Sequence, residues 1–506
     1  MVSPRLTGTA VLLLVLLAGC GSPTIEPTAA SVAVSPSDSP ASVPSAVAKH
    51  IVPALGLQPL TDAVPVSIVG HRTSEFTVAR DPSNTSRLLA VGMDLDSPDA
   101  TVQCTAFVSH DGGRSWTAVP ALPGHTSTNE DTDPWVAVDA TGRAYLTCTE
   151  AGVGLLLGES SDGGLTWTDA KPIPTGGIPA KDAIGAFGDG ELYLCFQQGK
   201  LQVMHSTDHG ASWTQVGFKD ILAGCNGVVQ GPEGNVYVMW QGGGAIEADR
   251  IQPPPPALGV VVTKDHGKSF TSTQISEDLG TAAPNMAGAP QAAAPSIAVS
   301  PVTGAVFVAG QRYQNAEVAG PVATDSTADI VLVRSRDAFA SFVPLPLPTI
   351  PSEQCAGCNQ VHPTLAVDDG GRLVLQLTLS SSDSLHKEFW VTASDDEGDS
   401  WLAPVLLAVT DADASFAQPG NVLPDPAGVA QDVQDIAANP ANGPDAAKAR
   451  ATAATWAVTH RDGGEYFGIT TTGSTVVDLW VQHGTDGKNT ITSRLVRILD
   501  NGAVTP

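Results

Sequence analysis

Through most of the chain, short apolar runs alternate with polar stretches rich in Gly, Asp, Ser and Pro, which is the pattern of strands joined by tight turns. Pro134-Trp135-Val136-Ala137-Val138-Asp139 is followed by a second run, Gly142-Arg143-Ala144-Tyr145-Leu146. The same pair returns at Pro295-Ser296-Ile297-Ala298-Val299-Ser300 with Gly304-Ala305-Val306-Phe307-Val308, and at Pro363-Thr364-Leu365-Ala366-Val367-Asp368 with Gly371-Arg372-Leu373-Val374-Leu375. Weaker copies begin at Glu75, Asp182 and Asn226. Repetition of this kind marks an array of equal units and governs the choice of fold.

Each pair leads to a third run that ends in a second motif. Its clear copies are Ser109-His110-Asp111-Gly112-Gly113-Arg114-Ser115-Trp116, Ser160-Ser161-Asp162-Gly163-Gly164-Leu165-Thr166-Trp167 and Ser206-Thr207-Asp208-His209-Gly210-Ala211-Ser212-Trp213. Thr263-Lys264-Asp265-His266-Gly267-Lys268-Ser269-Phe270 and Ser394-Asp395-Asp396-Glu397-Gly398-Asp399-Ser400-Trp401 repeat it, and a copy around Asp337 has lost its Gly. Asp accepts backbone N–H bonds inside a turn, Gly takes the positive φ, and the aromatic folds back on the hairpin. Inner strand, second strand, third strand, motif and fourth strand make one propeller blade. The motif Asp residues lie 51, 46, 57, 72 and 59 positions apart, room for four short strands and their loops.

The pattern therefore predicts an all-β protein, a seven-bladed β-propeller of four-stranded antiparallel blades, with six blades as the alternative. Six blades occupy residues from about 74 to 410, and the seventh draws on runs at Thr455–Thr459, Tyr466–Thr470, Val476–Val481 and Ile491–Val496. Val64–Val69 is expected to complete it, and Arg461-Asp462-Gly463-Gly464 reads as a hairpin rather than a further motif. The motif resembles the Asp-box, or BNR repeat, of sialidases and of many other β-propellers. On that resemblance Asp111, Asp162, Asp208, Asp265, Asp337 and Asp396 are structural turn residues.

In such blades the motif turns and the first-to-second strand turns share one end. Loops between blades and between second and third strands gather at the other, where ligands usually sit. Arg72, the acidic groups Asp94-Asp96-Asp99 and Glu130-Asp131-Asp133, Glu247-Asp249-Arg250, Arg312-Tyr313-Glu317, His386-Lys387-Glu388 and His460-Arg461-Asp462 fall at this loop-rich end. The resemblance implies a catalytic set of several arginines holding a substrate carboxylate, with a Tyr nucleophile activated by a Glu. Arg72, Arg250, Arg312 and Arg461, with Tyr313 and Glu317, are the residues of the right kind.

Three departures weigh against them. No Arg-Ile-Pro stands near the first blade, seven blades differ from the six of sialidases, and consecutive Arg312 and Tyr313 point to opposite faces of a strand. The expected function is thus binding of a carbohydrate or protein ligand on the loop-rich face without catalysis. An exo-α-sialidase-type glycoside hydrolase is the first alternative and an envelope assembly scaffold the second. The acidic segments suit structural calcium or a solvated surface; no other cofactor and no other metal is expected.

Met1 to Cys20 carries one cationic side chain, Arg5, then the apolar run Ala10–Leu17. It is too short to span as a membrane helix and reads as a signal peptide. Leu17-Ala18-Gly19-Cys20 resembles a bacterial lipobox, which implies lipidation of Cys20 and a protein tethered by lipid to the outer side of the cytoplasmic membrane. Residues 21–55, rich in Ser, Pro and Ala, form a disordered stalk, and residues 56–506 a single propeller domain. The net charge of −27 excludes an electrostatic grip on nucleic acid or on anionic lipid. A monomer is expected.

Six further cysteines suit disulfides in an exported chain. Pairing by nearness would join Cys104 with Cys148, Cys195 with Cys225, and Cys355 with Cys358, the last being the firm assignment. For the Cys355-Ala356-Gly357-Cys358 segment, haem attachment would want His at the following position, which is Asn359, and zinc would want a second ligand pair that no neighbouring segment supplies. A loop-closing disulfide is the reading that remains.

Overall fold

The computed structural model describes residues 56–96, 102–119, 122, 131–150, 152–221, 223–242, 257–276, 294–314, 327–355, 357–381, 385–411, 467–483 and 489–499. Cys20, the signal peptide and the stalk lie outside them, as do Arg250, Glu317, Arg461, Asp99, Glu130 and the run Thr455–Thr459.

The strands form seven antiparallel sheets in chain order, each a blade, and the described residues hold no helix. Blade 1 comprises Thr73–Arg80, Leu88–Asp94, Gln103–Ser109 and Thr117–Val119, numbered from the centre outwards. The inner strands of blades 2 to 7 are Asp131–Val138, Ala180–Phe187, Ala223–Gln230, Ser296–Val299, Asn359–Val367 and Ile469–Thr472. Seven blades, not six, close the ring.

Closure is made by the chain's beginning. Gly56–Pro59 is the outermost strand of blade 7, with Gly56 opposite Leu499 on Asn489–Leu499. The expected closing run Val64–Val69 contributes only Val64–Pro65 to that edge, opposite Ser493 and Thr492. Beyond Pro65 the chain turns inwards, and Val66 is buried in the seam between blades 7 and 1.

Each blade is covered on both faces by its neighbours, so its second strand is apolar nearly throughout. Leu373–Ser380 in blade 6 is buried at every position. Alternation sends Leu373, Leu375, Leu377 and Leu379 towards blade 5, and Val374 towards blade 7. The core is accordingly a ring of seven apolar clusters, one in every seam between blades.

The repeated turn joins third to fourth strands and has the same bonds in each copy. In the first, the Ser109 hydroxyl donates to Asp111 Oδ1 at 2.8 Å and accepts from the Gly113 N–H at 2.9 Å. Asp111 Oδ1 accepts the Ser115 N–H at 2.9 Å, and Oδ2 accepts its hydroxyl at 2.6 Å. The copy at Asp337 keeps the geometry without Gly by holding Ala338 and Phe339 at φ 54° and 64°. The aromatic does more than fold onto its own hairpin. Trp116, Trp167, Trp213, Phe270, Phe342 and Trp401 each pack into the seam with the preceding blade, so the turn locks neighbours together.

Candidate functional site

The inner strands carry a second regularity, at the end opposite the repeated turns. In blades 1, 2, 3, 4 and 6 the register slips by one residue near the strand's start. Glu75 and Phe76 share the place opposite Gly92, and His362 and Pro363 the place opposite Leu377. Glu75, Asp133, Lys181 and His362 take left-handed backbone at φ 48°, 53°, 51° and 51°, and Asn226 is the inserted residue of blade 4. A bulge re-aims the side chains around it, and left-handed non-glycine residues cost about 1 kcal/mol or more each. Five such bulges at one level build a ring of redirected side chains.

Inside this ring lies a cavity of about 160 Å³, lined by the inner strands of six blades. Thr77, Trp135, Asn226, Ser296, His362 and Phe467 give it its chemistry. The His362 and Phe467 rings stack with centroids 4.2 Å apart and planes within 6°. The Asn226 side chain is 3% exposed, and neither its oxygen nor its nitrogen has a hydrogen-bond partner; the Thr77 hydroxyl is likewise unpartnered. Leaving such groups unmade costs about 1–3 kcal/mol apiece, a cost that a bound polar ligand would remove. Among the described residues no Lys, Arg, Asp or Glu lines the cavity.

Several carboxylates are buried within the blades. Asp131 and Glu150, both buried, face each other across the first two strands of blade 2. Burial foremost, and then the neighbouring Glu150, pushes Asp131 up to about 7. Asp182 accepts the Thr147 hydroxyl at 2.9 Å across the seam between blades 2 and 3, and burial raises it well above the ordinary range. Asp133 Oδ2 crosses the same seam to accept the Lys181 N–H at 3.0 Å. Asp478 in blade 7 is fully buried with both oxygens unpartnered, and burial raises it too.

Of the sequence-derived catalytic candidates, Arg72 and Arg312 have described side chains, and neither lines this cavity. Arg72 stands just before the inner strand of blade 1, where its Nε and Nη2 donate to Asp96 Oδ1 at 3.1 and 2.7 Å. That hydrogen bond holds the Arg72 guanidinium above its usual range, and Asp94 is taken up by His71 at 2.8 Å. Of the carboxylates considered for calcium, Asp96 is thus taken up by Arg72 and Asp94 by His71. Arg312 is exposed on blade 5, in register with Asp329. Tyr313 follows it on the strand, in register with Ala328; its side chain, with Glu317, Arg250 and Arg461, lies outside the described residues.

Sequence reading marked the segments that build the chamber, since the paired-strand repeat begins at Glu75, Asn226, Pro134 and Pro363, but it passed over the residues that matter. The available signal was a bulky residue before proline, in Asp133-Pro134 and His362-Pro363, where an extended backbone is normally enforced. All three expected disulfides are present, Cys104–Cys148, Cys195–Cys225 and Cys355–Cys358. The first two join neighbouring blades at the bulged end.

No protein-family model matches the chain, and no curated protein matches it in sequence. Among solved structures it is similar to a protein of unknown function from Dyadobacter fermentans, at 11% identity over 88% of this chain and 100% of that one, TM-score 0.44. It is similar also to the Hadza microbial sialidase Hz136, at 15% identity over 86% and 69%, TM-score 0.41, and to the phage phi92 endosialidase, at 11% over 89% and 70%, TM-score 0.44. No residue role is carried over at this level of likeness.

Proposed function

We propose that the chain is a lipid-anchored, extracytoplasmic propeller of the Asp-box, sialidase-like kind that binds a carbohydrate at its loop-rich face without cleaving it. The observation that carries the reading is the chamber lining. It combines flat rings at Trp135, His362 and Phe467 with the unpartnered amide of Asn226 and hydroxyl of Thr77. Sugars present just such apolar faces and hydroxyl edges. A carboxylate-bearing sugar would enter an uncharged chamber with no counter-charge, which costs several kcal/mol. An exo-sialidase would need its arginines free, whereas Arg72 is clamped by Asp96. Anchoring through Cys20 places the site outside the cytoplasmic membrane.

The test is glycan-array screening of the purified protein, followed by calorimetry with the best glycan. Wild type should bind an uncharged glycan, and Asn226→Ala should weaken binding at least tenfold with the fold intact by circular dichroism. Hydrolysis of a sialoside reporter that Arg72→Ala abolishes would replace the proposal with the enzyme. Binding that is indifferent to Asn226→Ala would remove the chamber from it.

A further inference from the structure

We propose that the Cys355–Cys358 disulfide masks a metal site: once a dithiol reductant opens it, Cys355, Cys358, His386 and Glu388 hold a divalent cation of the zinc class.

The sequence offers the CxxC pair but no second ligand pair nearby. The fold supplies one. Blade 6 starts its third strand at His386, at the loop-rich end, beside the CxxC turn that precedes its inner strand Asn359–Val367. Ligand atoms of Cys355, His386 and Glu388 all lie within 4.8 Å of one another, and Cys358 is bonded to Cys355. His386 Nε2 stands 3.5 Å from Glu388 Oε1. Two ligands bound at about 2.0–2.1 Å to tetrahedral zinc are separated by roughly 3.3 Å, so this edge of the tetrahedron already has its length.

The outer contacts are those a metal centre requires. His386 Nδ1 bonds Asp411 Oδ1 at 2.6 Å, which puts the proton on Nδ1 and turns the Nε2 lone pair inward. That Nε2 is buried and pairs only at 3.5 Å with the Glu388 carboxylate. Glu388 is fixed by the Ser352 hydroxyl at 2.9 Å on Oε1 and by Trp390 Nε1 at 2.8 Å on Oε2. Ser352 Oγ also accepts the Cys355 N–H at 2.9 Å, and the Cys358 N–H donates to the Cys355 carbonyl at 3.0 Å, so the turn is held whether or not the sulfurs are joined. Cys355 and Glu388 are each 4% exposed. A loop-closing disulfide alone needs none of this arrangement.

Disulfide and metal exclude each other, because the ligand is the thiolate. In the opening step the reductant's two thiols become a disulfide, and two electrons and two protons pass to Cys355 and Cys358. The cation then displaces those two protons.

The experiment titrates the purified protein with zinc against a chromogenic chelator, before and after phosphine reduction, and repeats it with cobalt to read the thiolate charge-transfer band. The reduced protein should take up one tight equivalent with that band, and the oxidised protein none. Cys355→Ser/Cys358→Ser should abolish uptake while keeping the other four cysteines. His386→Ala and Asp411→Asn should weaken it about 10–100-fold. His386→Ala leaves the disulfide intact, so it decides the matter if the double variant fails to fold. Absence of the cobalt–thiolate band in reduced wild type, or uptake unchanged by His386→Ala, would overturn the proposal.

Discussion

The two ends of the propeller handle their polar groups in opposite ways. At the turn end each motif carboxylate is satisfied within five residues of chain: Asp208 takes the Ser206 hydroxyl and both the N–H and hydroxyl of Ser212. These bonds hold Asp208 down at about 2, as their counterparts hold Asp265. At the bulged end, Asp131 and Asp182 are pushed up by burial, Asn226 and Thr77 lack partners, and disulfides join the blades. One end spends its polar groups on the fold, and the other leaves several of them unpartnered. Local bonds stabilise without regard to the rest of the ring, whereas unpartnered groups are tolerated only where something else can use them.

The largest effect expected from this contrast is covalent. Cys104→Ser/Cys148→Ser opens a link across 44 positions and should cost about 4 kcal/mol in denaturant unfolding. A loss no greater than that of a single turn bond would show that blade packing alone holds the bulged end.

The pH response should have opposite signs at the two ends. Asp131, raised from 3.8 to about 7, gives full stability below pH 4 and loses it as the pH climbs through 7. The loss is on the order of 4 kcal/mol at most, shared with Glu150. Asp131→Asn should flatten that slope between pH 4 and 8. The turn carboxylates contribute stability above pH 4 that disappears as the pH falls towards 2. An unchanged slope in Asp131→Asn would contradict the assignment.

A smaller effect separates satisfied from unsatisfied hydroxyls. Ser394 donates to Asp396 and accepts the buried Gly398 N–H at 2.7 Å, so Ser394→Ala should destabilise by about 1–3 kcal/mol. Thr77→Val removes a hydroxyl without a partner, and should change stability by less than about 0.5 kcal/mol while lowering glycan affinity. Equal stability losses in the two variants, measured by thermal unfolding, would erase the distinction.

The legibility of the molecule follows the same division. The motif turns could be read residue by residue, because Ser, Asp, Gly and the aromatic lie within eight positions and bond among themselves; their spacing then set out six blades, and the apolar runs beyond residue 410 supplied the seventh. The expected closing run Val64–Val69 joins the ring only through Val64–Pro65, and the longer closing strand Gly56–Pro59 was not legible, since it carries no alternation and is selected by the open edge of Asn489–Leu499. Of the arginines suggested by residue type and loop position, Arg72 and Arg312 do not line the chamber, and Arg250 and Arg461 lie outside the described residues.

The sequence by itself determined the blade and its turns, because these depend on contacts a few residues apart. Only the tertiary structure decided the chamber and the sulfur site. Thr77 and Asn226 meet around one cavity because the ring closes, and Cys355 comes within reach of His386 because adjacent loops of one blade end at the same rim. Contacts of that range are set by packing between strands, and no local pattern encodes them.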